Sequence, residues 1–151
     1  MKALSLPFLH PLAPYGLLIL RLGLGLIMAA HGWQKLTVFG AQGFADNMLT
    51  RLGVPAPGFM AWVVIIVELV GGICIMLGLG TRIWALMTAI VMLVVIFMVK
   101  DLTILIGEGS YELELAILSG MLALALVGPG KVSADHALGV AYCPIESDNP
   151  V

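Results

Sequence analysis

The stretch LRLGLGLIMAAHGWQKL, Leu20 to Leu36, decides how this chain folds. Its run of Leu, Ile, Met, Ala and Gly reads as a helix buried in lipid. It also carries Arg21 well inside the run and His31 and Lys35 near its end. A charge at the centre of a bilayer costs about 2.5–3.5 kcal/mol on insertion scales, so these cations need partners inside a bundle or a short route to the interface.

The rest of the chain supports the membrane reading. Of 151 residues, 61% are hydrophobic and 11% charged, with a mean hydropathy of +1.10. A soluble domain is nearer half apolar and a quarter charged. The formal net charge of -2 includes no basic block, which argues against nucleic-acid binding. Cys74 lies in an apolar run and Cys143 in a polar tail, and neither belongs to a CxxC motif, so neither a disulfide between them nor a metal site is expected. Prolines 7, 11 and 14 interrupt the N-terminal segment, which does not read as a cleaved signal peptide.

A crossing helix needs about 20 largely apolar residues. Four segments are read as spans: 14–36, 57–79, 82–100 and 111–127, the last being the shortest. Glycine and proline punctuate their ends, as in GLGT at 78–81 and GPG at 128–130. The fold expected is all-α, an integral membrane four-helix bundle. Between the first two spans, Phe44, Met48, Leu49 and Leu52 recur at helical spacing, which predicts a short amphipathic helix on the membrane surface. The organisation expected is an interfacial segment over 1–13, a membrane domain over 14–130 and a polar tail over 131–151. Four spans put both termini on one side. Positive charges tie, with Lys2, Arg82 and Lys131 on the terminal side and Lys35, Arg51 and Lys100 on the other. The termini are assigned to the cytoplasm on simplicity alone.

Counting depth along straight helices places Arg21 within about 6 Å of the level of Glu68 on the second span. An Arg21–Glu68 ion pair is therefore expected, with Gly25, Ala29, Gly71 and Gly72 allowing the two helices to approach closely. Arg21, His31 and Lys35 share an arc of about 80° on the first span. Glu112 opens the fourth span at the level of His31 and shares a face with Ala116, Ser119 and Ala123, so it is expected to turn inward toward His31 or Lys35. A histidine beside a carboxylate is a ready proton donor or acceptor, which makes His31 and Glu112 the candidate catalytic pair. Lys35 and Trp33 are candidate binding residues, and both also suit a simple interfacial anchor. No second ligand is available to make His31 a metal or haem site.

The HGxxK element at 31–35, the block from Glu68 through Gly71 and Gly72 to GLGTR at 78–82, and GPGKVSAD at 128–135 resemble, in type and order, the DoxX family. The likeness covers Leu20 to Asp135. Glu114 stands where that family often carries a small residue and is given no family role. The resemblance implies a small four-helix protein of the bacterial or archaeal cytoplasmic membrane. It also implies association with quinol oxidase or thiosulfate:quinone oxidoreductase chemistry, with quinone as the candidate ligand and oxidoreductase subunits, or further copies of the chain, as candidate partners. A small transporter and a non-catalytic assembly subunit are the alternatives. No cofactor site is visible in the sequence itself.

Overall fold

The structure is a computed structural model describing residues 12–100, 102, 104–107 and 109–140. The expected interfacial segment and the tail beyond residue 140 therefore lie mostly outside the described residues, as does Cys143. Every described element is helical. They are α1 (Ala13–Gln34), α2 (Ala41–Phe44), α3 (Pro57–Leu77), α4 (Thr81–Met98), α5 (Glu112–Val127) and α6 (Ala134–Ala137). Wider π-type turns extend α1 over Lys35–Phe39 and α2 over Ala45–Leu49. The expected helix between the first two spans is present, and it is anchored: Phe44, Ala45 and Leu49 are buried against Ala61 of α3.

Helix α1 packs on α3, α3 on α4, α4 on α5, and α5 back on α1, closing a ring of four. Among the described residues, three helices are long and apolar enough to cross a membrane: α1 with its extension (Tyr15–Phe39), α3 and α4. Helix α5 has 16 residues, about 24 Å, short of a hydrocarbon core of about 30 Å. The outer faces carry large exposed apolar side chains such as Ile19, Phe97 and Leu126. That is the arrangement of a chain whose solvent is lipid. Its interior is lined by Met28, Ile75, Met92, Met121 and Leu124.

Small residues set the α1–α3 crossing. A Cβ on Gly72 would lie 2.6 Å from the Ala29 backbone nitrogen and 2.7 Å from the Gly25 carbonyl oxygen. Gly32 stands against the backbone of Leu69 in the same way. These contacts fix the register, and the register overturns the depth count. Gly32 is level with Leu69, which puts Glu68 one residue further along, so Arg21 lies about 18 Å along α1 from the level of Glu68. The first turns of α3 run beside α2 instead of starting level with the end of α1, which shifts Glu68 toward Lys35.

Helix α3 ends in a Schellman turn. Gly78 is left-handed (φ 73°), the Leu79 N–H donates to the Cys74 carbonyl at 2.8 Å, and the Gly78 N–H donates to that of Ile75 at 3.1 Å. The carbonyl of Gly78 in turn accepts from the Asp135 N–H at 2.9 Å.

Candidate functional site

The cations of the opening stretch separate into two clusters at opposite ends of the bundle. At one end, Arg21 is 1% exposed. Its guanidinium donates to the carbonyls of Pro129 and Val132, both at 2.5 Å. The buried carboxylate of Asp135 interacts electrostatically with it. That carboxylate also accepts from the Gly80 N–H at 2.8 Å and the Thr81 N–H at 3.1 Å. These are orphan donors of the first turn of α4, where a negative charge also meets the positive end of the helix. The motifs GLGTR and GPGKVSAD thus meet in space, with Arg21 as the third party. The expected Arg21–Glu68 ion pair is not formed. A long side chain on a helix points toward its own N-terminus, which carries Arg21 away from Glu68 and onto the loop after α5.

At the other end, Glu68 pairs with Lys35 at 2.5 Å, with side-chain exposures of 3% and 18%. The Lys35 ammonium also lies over the Phe44 ring, 5.6 Å from its centroid, so the segment after α1 helps to hold it. This pair forms one wall of a cleft of about 70 Å³ lined by α1, α3, α4 and α5. Its polar lining comes from His31, Lys35, Glu68 and Glu114, and Met28, Met92, Val95, Leu113 and Ile117 complete it.

The expected inward turn of Glu112 toward His31 or Lys35 is not found. Glu112 is exposed and does not line the cleft. Glu114 does line it, and its Oε1 pairs with Lys100 at 3.1 Å. The expectation that small residues turn inward fails on α5. Its buried face is Ile117, Leu118, Met121 and Leu124, and Ala116 and Ser119 are exposed. Glu114 lies three and four residues before Ile117 and Leu118, so it shares their face. Large apolar side chains, not small ones, fill the space opposite α1 and α4, and a count of those side chains at helical spacing identifies Glu114 from the sequence. Trp33 is 59% exposed and lies outside the cleft, on the outer surface of α1. His31 lines the cleft and is itself exposed at its edge.

The chemistry available is therefore acid–base and polar. Two lysine–carboxylate pairs, Lys35–Glu68 and Lys100–Glu114, balance each other's charge, and His31 is the one further titratable group in the lining. Among the described residues, no three His, Cys, Asp or Glu side chains gather as a metal site.

Comparison with known proteins adds an ancestry to this geometry. A family model described as DoxX matches residues 16–101. The chain is 34% identical over 127 residues to "Inner membrane protein YqjF" of Escherichia coli (strain K12), covering 82% of this chain and 92% of that protein. It is 32% identical over 120 residues to "Putative oxidoreductase CatD" of Bacillus subtilis (strain 168), covering 80% of this chain and 84% of that one. It is 31% identical over 141 residues to "Uncharacterized membrane protein Rv3486" of Mycobacterium tuberculosis (strain ATCC 25618 / H37Rv), covering 86% and 85%. No solved structure matches.

Proposed function

The chain belongs to the DoxX family of membrane proteins, and from that premise we propose that it is a redox-associated subunit of the bacterial cytoplasmic membrane. In this reading it engages a quinone or quinol head group at the His31 cleft, and α5 is the fourth crossing. The observation that carries the reading is the cleft itself. Three helices contribute His31, Lys35, Glu68 and Glu114 to one cleft, a second polar cluster apart from that of Arg21 and Asp135. Ionisable groups in a membrane bundle mark ligand and proton pathways. The relative named an oxidoreductase supports a redox setting, and the relative named an inner membrane protein supports the location.

His31 exchanges a proton with a ring hydroxyl at the cleft edge, because a neutral imidazole accepts a proton and an imidazolium donates one. The Lys35–Glu68 pair supplies a polar wall without net charge. Electrons pass between the quinol and a partner oxidoreductase subunit, and a second copy of the chain is a further candidate neighbour in that assembly.

Binding of a short-chain quinol and its quinone to purified protein in nanodiscs tests the reading. His31→Ala is expected to weaken binding about tenfold or more, the loss of one hydrogen bond to a charged or titrating group. Glu112→Gln, which lies outside the cleft, is expected to leave binding unchanged. Binding that is absent in the parent protein, or equal in the parent and His31→Ala, refutes the site. Co-purification from native membranes identifies the partner subunit.

A further inference from the structure

Resting on that reading of the cleft, we infer that the site selects the hydroxyl-bearing, reduced form of its ring ligand over the carbonyl form. Glu114 is the residue that discriminates. Its Oε1 is taken by Lys100. Its Oε2 is fully buried and has no hydrogen-bond partner, although Glu114 lines the cleft. An ionised carboxylate oxygen only accepts, and a buried acceptor left unpaired is costly. What is missing is a donor.

The two redox forms differ in that one property. A quinone carbonyl oxygen accepts and cannot donate. A hydroxyl donates one hydrogen bond and still accepts. Lys35 is committed to Glu68 but keeps further N–H capacity, so either form finds a donor there or at His31. Only the hydroxyl also satisfies Glu114 Oε2. The carbonyl form leaves that oxygen unpaired and places a second acceptor beside it.

The size of the cleft fits an edge-on approach. At about 70 Å³ it is roughly half the volume of an engineered cavity that takes up benzene. The ring therefore stays at the mouth, against Leu113, which is 44% exposed, while its hydroxyl enters. Selection then rests on the donor atom and not on ring shape.

Two probe pairs test this in anaerobic nanodiscs. One is a short-chain quinol and its quinone. The other is 4-nonylphenol and its methyl ether, which undergo no redox exchange under these conditions. The hydroxyl member of each pair is expected to bind about ten- to a hundredfold tighter, the worth of one hydrogen bond to a charged group. In Glu114→Gln the preference is expected to collapse, because an amide both donates and accepts. Lys100→Gln, which leaves the carboxylate in place, is expected to retain it. Equal binding of both members to the parent protein, tighter binding of the carbonyl or ether form, or a preference that survives Glu114→Gln overturns the inference. If binding is equal but still weakened by His31→Ala, the proposed function stands and only the selectivity falls. If no probe binds, both fall.

Discussion

Removing the lysine from the Lys35–Glu68 pair is expected to cost more than removing the glutamate, and the asymmetry follows from burial. The Glu68 side chain is 3% exposed and that of Lys35 18% exposed. Lys35→Met strands a carboxylate in the bundle without its hydrogen-bonded cation, leaving only the longer-range interaction with His31 among the partners described. Breaking one side of a buried pair costs about 3–5 kcal/mol, and the partial exposure of Lys35 places this case near about 3 kcal/mol. Glu68→Gln leaves an ammonium on a flexible stem near the bundle's end. That stem can extend toward the interface and keep its stacking on Phe44, so the cost is about 1 kcal/mol. The double variant, with both charges gone, is expected within about 1 kcal/mol of the parent, because replacing a whole buried pair is often neutral. Reversible unfolding in mixed micelles, run as a double-mutant cycle, measures all three states and gives a coupling of about 3 kcal/mol. Additive single costs, or a glutamate variant less stable than the lysine variant, would refute both the pairing and the argument from burial.

Two further predictions concern the scaffold. Asp135→Ala deprives the Gly80 and Thr81 N–H groups of their acceptor and is expected to lower unfolding stability by about 1–2 kcal/mol, the loss of a helix cap. Gly72→Ala pushes a methyl into the backbone of α1 and is expected to cost about 1–3 kcal/mol by overpacking. Gly23→Ala, on the same pair of helices but with nothing within 4 Å of the new methyl, is expected to stabilise by about 0.5–1 kcal/mol through helix propensity. Thermal unfolding of the purified variants in one detergent ranks them, and an equal effect of the two glycine substitutions would show that the crossing is not as tight as described.

The parts of this protein that depend on composition and local pattern were legible in the sequence. Apolar run lengths located the helices to within a few residues, because a backbone in lipid has to satisfy its own hydrogen bonds. Glycine and proline marked the ends, and Gly78 adopts the left-handed turn its position suggested. The ingredients of the cleft were also visible: His31, Lys35 and Glu68 stood out because charged residues are rare in such a chain. The resemblance carried by HGxxK, GLGTR and GPGKVSAD pointed to the family that the comparison supports.

Which charge meets which was decided only by tertiary structure. Axial counting assumed that consecutive helices begin and end at common levels, and a single contact set, Gly25 and Ala29 against Gly72 with Gly32 against Leu69, slid α3 along α1 and exchanged the partner of Glu68. Helix α5 turned Glu114 inward and Glu112 outward because large apolar side chains filled the bundle; their spacing marked the Glu114 face in the sequence, and the structure showed that this face, not the small-residue one, turns inward. Arg21 found backbone carbonyls more than a hundred residues away, since a loop that ends a helix leaves acceptors unfilled. The sequence determined that the cations of Leu20 to Leu36 needed partners inside the bundle or a short route to the interface. The register of one helix on another, fixed by close backbone contact at a few glycines, determined how.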